Sequence, residues 1–125
     1  MAKFVTDSAM DALLAYIATG THVAVCSAQP TTYAQVATYE LAEGTITAGD
    51  GNGDWTIADG DSSGRKVTLA QQADLSIDTS GTATHVAVDD GSSELLLVTT
   101  CTSQALTSGG TVTVPSFKDE VADAA

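Results

Sequence analysis

Apolar residues fall into two different rhythms along this chain. Between Thr6 and Gly20, Met10, Leu13, Leu14 and Ile17 recur at the i, i+3, i+4, i+7 spacing of one helical face. The spacing predicts an amphipathic helix over about residues 6–19. Thr6 or Asp7 would cap its first turn, the carboxylates of Asp7 and Asp11 suit the positive end of the helix dipole, and Gly20 supplies a left-handed stop. After Gly20 the period shortens to 2, and Thr and Val replace Ala and Leu. Strands are expected at Thr21–Cys26, Gly44–Thr47, Trp55–Ala58, Arg65–Ala70, Asp74–Asp78, Ala83–Asp89, Glu94–Thr100 and Thr111–Val114. A break at Gln29-Pro30-Thr31-Thr32 leads into an irregular excursion through Tyr33 and Tyr39 to Leu41. Turn formers separate the strands, as in Asp50-Gly-Asn-Gly53, Asp59-Gly-Asp-Ser-Ser-Gly64 and Ser108-Gly-Gly110. The expected fold is mainly β: a β-sandwich or small β-barrel of about eight short antiparallel strands, preceded by one N-terminal amphipathic α-helix.

Thr21-His-Val-Ala-Val25 recurs unchanged as Thr84-His-Val-Ala-Val88. Two strands in equivalent places would explain the echo, with Val23, Val25, Val86 and Val88 turned into one core and each histidine on the opposite face. Two copies are too few for a solenoid.

Length and composition then narrow the class. At 125 residues, 43% of them hydrophobic, the chain suits one domain spanning 1–125. It comprises the helix, a β domain at about 21–115 and a C-terminal tail at about 116–125. Four Lys plus Arg against sixteen Asp plus Glu give a net charge of −12 at pH 7. Lys3, Arg65, Lys66 and Lys118 are too few and too scattered to displace counterions along a phosphate backbone, so nucleic acid is not an expected partner. The sign of the charge disfavours an anionic membrane surface, and no apolar run approaches the ~20 residues that span a bilayer. Asp7 and Asp11 interrupt the one apolar stretch that could resemble a secretion signal, so none is expected. Cys26 and Cys101 are expected as free thiols.

Candidate chemistry is sparse. His22 and His85 share a slot of the repeated pentapeptide and could suggest a paired-imidazole metal site, but no further Cys or His spacing accompanies them. Asp50-Gly-Asn52-Gly-Asp54 has the opening spacing of a calcium loop, with Asp61 at the twelfth position. The sixth position, where such a loop needs glycine, holds Trp55, so the segment reads as an acidic turn. Gly60-Asp-Ser-Ser-Gly64 resembles a protease serine motif only superficially, and no nucleophile elbow or lysine-bearing phosphate loop occurs. No catalytic residue, cofactor or metal is expected, and the chain is not expected to be an enzyme. Aromatic side chains carry much of the energy at protein interfaces. Trp55 opens a strand and is expected inside, whereas Phe4 and Phe117 lie near opposite termini. Partner contact is therefore placed on Lys3, Phe4, Val5 and Phe117.

Several stretches carry a family resemblance: Ala9–Ile17, Thr21–Cys26 followed by Ala28-Gln-Pro-Thr-Thr-Tyr33, Ile57–Lys66, Thr82–Val88 and Leu95–Leu106. In this pattern the chain resembles the head decoration, or cement, proteins of tailed phages over nearly its whole length. The resemblance implies a non-enzymatic virion structural protein, made in the host cytoplasm, that binds the outer surface of an assembled capsid. It further implies the major capsid protein as partner and a homo-oligomer, commonly a trimer, that stabilises contacts between capsid subunits. An acidic protein suits the outside of a shell filled with DNA. Two further readings remain: a phage tail, baseplate or surface-adhesion module, and a small enzyme or metal-binding module using His22 and His85.

Overall fold

The computed structural model describes residues 5–121. The fold is mainly β, as the strand rhythm predicts, and among the described residues nine strands form three antiparallel sheets. They are grouped by their contacts into two compact units, each discontinuous in sequence.

The first unit joins residues 5–19 with residues 47–71 and 116–121. Its helix α1 (Asp7–Ile17) starts where Thr6 Oγ1 accepts the Ala9 N–H at 3.1 Å. Met10, Leu14 and Ile17 are buried, but Leu13, expected on the same face, is 52% exposed. At about 100° per residue Leu13 sits at the edge of that stripe, and Tyr16 lies a further step round the helix. The helix contacts two strands of a sheet in this unit.

Two strands of that sheet match the sequence expectation and a third does not. Trp55–Asp59 pairs with Arg65–Leu69, which pairs in turn with Phe117–Val121. The last strand occupies what reads in sequence as a tail, and places Phe117 opposite Leu69. Its alternation is masked by the acidic composition of the terminus, and the Ser116 hydroxyl secures its entry by donating to Leu69 O at 2.8 Å. Trp55, Val67 and Leu69 are buried. Arg65 ties helix to sheet: it donates to both Asp11 carboxylate oxygens, at 2.7 and 3.3 Å, and to Asp59 at 2.6 Å. Lys66 pairs with Asp61, and Lys118 with Asp61 and Glu120, so Arg65, Lys66 and Lys118 all face carboxylates.

The second unit, residues 20–46 and 72–115, is built on the repeated pentapeptide. In chain order its elements are β1 (His22–Cys26), α2 (Tyr33–Tyr39) and β2 (Glu40–Thr45). With the first unit's strands as β3, β4 and β9, the rest are β5 (Gln72–Ser76), β6 (Gly81–Asp89), β7 (Leu95–Leu106) and β8 (Thr111–Val114). The main sheet has the order β2-β1-β6-β7, and β5 pairs with β8. The two identical pentapeptides are thus antiparallel neighbours, with Val23 opposite Val88, Ala24 opposite Ala87 and Val25 opposite Val86. Every residue from Val23 to Cys26 is buried, because this sheet is covered on both faces. The four valines face one side. On the other side α2 lays Val36 against Ala24, Cys26 and Ala87.

The helix α2 replaces the irregular excursion expected from sequence. With Val36 its single fully buried residue, it has no apolar stripe to reveal it. Capping defines it instead. Thr32 Oγ1 accepts from Gln35 N at 3.3 Å, and Gln35 Oε1 reaches back to accept from Thr31 N at 2.8 Å.

Candidate functional site

Two regions have properties that packing alone does not require. The first is the outer shoulder of α1. Among the described residues the exposed large hydrophobic side chains are Val5, Leu13 and Tyr16, and all three lie on or beside this helix. Leu13 and Tyr16 are neighbours at i, i+3. The helix is held from beneath by its buried stripe and by the Arg65–Asp11 pair, so the shoulder is presented on a fixed support.

The second region is a cleft of about 210 Å³ in the second unit, where α2 covers the face of the sheet opposite the valines. Its walls include Tyr33, Ala34 and Ala37, and its polar end is formed by His22, Glu40, Glu43 and Asp89. A bulge brings these side chains together. Residues 40 and 43 would face opposite sides of a regular strand. However, the β1–β2 register runs Ala24–Glu43, Val25–Ala42, Cys26–Glu40, skipping Leu41, so both glutamates point to the side of His22, Ala24 and Cys26. His22 lies opposite Asp89 across the β1–β6 ladder, and its Nδ1 is 2.8 Å from Asp89 Oδ2. Its Nε2 lies 2.8 Å from Glu43 Oε2 and 3.6 Å from Glu40 Oε1. Asp89, 1% exposed, also accepts the Gly91 N–H at 2.7 Å.

The electrostatics follow from this crowding. Burial alone would lower the His22 pKa, but the hydrogen bonds to Asp89 and Glu43 outweigh it and raise the value. Burial, reinforced by the adjacent Glu43, pushes Glu40 up to about 8. Glu43, bonded to Glu40 and His22 and more open to water, is held below its ordinary value. Beneath the cleft, burial and then the field of Glu40 and Asp89 push the Cys26 thiol up to about 12.

No family model, curated protein or solved structure matches the chain. Function is therefore read from these two regions.

The residues singled out in sequence are distributed unevenly over them. Val5 is exposed just ahead of α1, Phe117 is half-buried at the start of β9, and Lys3 and Phe4 lie outside the described residues. The two histidines are not brought together. His85 stands opposite Cys26, at the other end of the ladder from His22, and its Nδ1 is 2.8 Å from Thr84 Oγ1. Asp50, Asn52 and Asp54 are turned toward backbone: Asp50 accepts from Ile57 N, Asn52 donates to Ala48 O, and Asp54 accepts from Thr47 N. Gly60–Gly64 is the β3–β4 turn, closed by Gly60 N donating to Gly64 O. Cys26 and Cys101 are free thiols.

Sequence reasoning placed His22 on the correct face and missed its partners. The face is roofed by α2 instead of open, and the glutamates reach it only through the bulge. The one legible signal was the capping pattern Thr32-x-x-Gln35 ahead of Glu40.

Proposed function

We propose that this chain is a capsid decoration protein: a non-enzymatic virion structural protein that binds the outer surface of an assembled phage head and stabilises contacts between major capsid protein subunits. The observation that carries a docking role is the exposed pair Leu13 and Tyr16 on one side of α1, with Val5 exposed just ahead of the helix. Grouped apolar side chains on an otherwise polar surface are a common mark of protein interfaces. The net charge of −12 supports an outward location, because such a protein would be repelled by packaged DNA. The pairing of Arg65, Lys66 and Lys118 with carboxylates further disfavours a nucleic-acid partner. The family resemblance of the sequence supplies the capsid as the specific occupant and a homo-oligomer, with a trimer favoured, as the bound form.

The stabilisation would arise by mass action. A protein that binds the assembled lattice and not free subunits opposes disassembly by its binding free energy. Repetition over the lattice lets individually weak contacts act together.

Undecorated phage capsids mixed with the purified protein, sedimented and imaged by electron cryomicroscopy provide the test. Regular density on the outer lattice, with α1 toward the shell, is the expected result, and the Leu13→Ser/Tyr16→Ser double variant should remain folded while occupancy drops at least tenfold. A folded wild-type protein that leaves the capsids bare would overturn the decoration reading. Undiminished occupancy by the double variant would reject the α1 shoulder as the contact.

A further inference from the structure

We propose that His22 Nε2, Glu40 and Glu43 bind a divalent transition-metal cation, zinc foremost, at the polar end of the α2 cleft, with Asp89 as the positioning residue for His22. The inference does not depend on the decoration reading.

The donor geometry is the first support. One ligand atom from each of the three side chains falls within 4.8 Å of the others. In a tetrahedral zinc site with bonds of about 2.1 Å, ligand atoms stand about 3.4 Å apart. The 2.8 and 3.6 Å separations from His22 Nε2 bracket that value, and no pair of the three donors exceeds it by more than about 1.4 Å.

Charge is the second. Asp89, Glu40 and Glu43 gather around one imidazole, yet the second unit contains no lysine or arginine. Glu40 Oε1 is excluded from solvent with no hydrogen-bond partner. A buried carboxylate oxygen left unpaired is costly. Glu43 and the Nε2 of His22, 3.6 Å away, stand beside the Glu40 side chain, so a cation shared by the three donors would satisfy the oxygen.

The arrangement behind the ligands is the third. Asp89 accepts from His22 Nδ1, so when a cation displaces the proton that Nε2 shares with Glu43, the proton on Nδ1 is kept and the Nε2 lone pair is turned to the two glutamates. A carboxylate behind a histidine in this way fixes the tautomer and raises the basicity of the metal-facing nitrogen. The β1–β2 bulge supplies the remaining ligand, since without it Glu40 would face the valine side.

The donor set also discriminates between cations. One imidazole and two carboxylates suit zinc and its transition-metal neighbours, whereas calcium wants six to eight oxygens and magnesium a near-octahedral oxygen shell. Three protein ligands leave a fourth position, which opens on the cleft and has room for water.

Calorimetric titration of zinc chloride into chelator-stripped, full-length protein tests the site, with cobalt as a spectroscopic probe. One zinc per chain is expected, together with a rise in melting temperature that a chelator reverses. The cobalt form should show the intense visible bands of a low-coordinate site. Glu43→Gln, at a half-exposed position that does not threaten folding, and His22→Gln should each weaken zinc at least tenfold. Asp89→Asn should weaken it about 10–100-fold at unchanged stoichiometry, and the cobalt spectrum should shift. Absence of saturable zinc binding by the folded wild type would overturn the proposal. So would zinc binding unchanged by both Glu43→Gln and His22→Gln, or calcium bound as tightly as zinc.

Discussion

The corner at Asp89-Asp90-Gly91 shows how single residues fix this protein. Asp90 Oδ1 accepts the backbone N–H groups of Ser92, Ser93 and Glu94 at 2.8–3.0 Å, closing the turn between β6 and β7. These bonds, led by those from Ser93 and Glu94, hold its carboxyl well below the usual range. A depressed folded-state pKa contributes stability that is fully present above the unfolded value, about 3.9, and lost as pH falls toward the folded value. Asp90→Ala is therefore expected to be less stable than wild type in urea denaturation at pH 7, with the deficit narrowing by pH 3. Gly91 has φ of 79°, and a Cβ there would stand 3.0 Å from Thr21 Oγ1, the hydroxyl that donates to Asp90 O. Gly91→Ala should cost about 1–2 kcal/mol in the same assay through left-handed backbone strain.

Among elements, α1 places a buried core leucine next to an exposed one that the decoration proposal puts in the contact. Leu14 is fully buried and Leu13 half-exposed. Leu14→Ala should cost about 2–5 kcal/mol by chemical denaturation, the range for a core leucine left as a cavity. Leu13→Ala should stay within about 0.5 kcal/mol of wild type and act on capsid occupancy instead. The same helix illustrates what sequence makes legible. Its apolar period announced the element and its cap, and the valine alternation announced β1 and β6, because in both cases burial imposes a repeat on neighbouring residues. Elements built on one anchor announced nothing: α2 buries Val36 fully and otherwise depends on Thr31, Thr32 and Gln35. Glu40 and Glu43 were illegible for a different reason, since their shared face depends on one skipped residue in the β1–β2 register. Periodicity reports regular pairing, and the candidate metal site exists where pairing is irregular.

On the scale of the molecule, the main sheet of the second unit leaves β7 at its edge. That strand runs twelve residues, Leu95–Leu106, without a charged residue or proline. Exposed strand edges are usually guarded by lysine, proline or bulges that turn them away, because their unpaired backbone groups recruit other chains. The chain's net charge of −12 opposes indiscriminate association, yet no charge on β7 itself repels a second β7. The β6–β7 register shifts between Ala83 and His85 and between Val88 and Asp89, but the regularly paired stretches 97–100 and 104–106 carry no charge and leave an edge suited to pairing between copies of this chain. Self-pairing of two β7 strands would be two-fold and stop at a dimer. A trimer instead requires β7 to meet a different surface of the next copy in a closed ring. Thr102 and Gln104 are exposed on this strand, so Thr102→Lys/Gln104→Lys adds guarding charge without disturbing the core. Sedimentation velocity should find wild type above the monomer mass at tens of micromolar and the double variant reduced to monomer with its melting temperature unchanged. A dimeric wild type would indicate β7 self-pairing, whereas a trimer lost in the variant would place β7 in a ring contact suited to a three-fold capsid position. A wild type that stays monomeric across that range would remove β7 as a self-association edge.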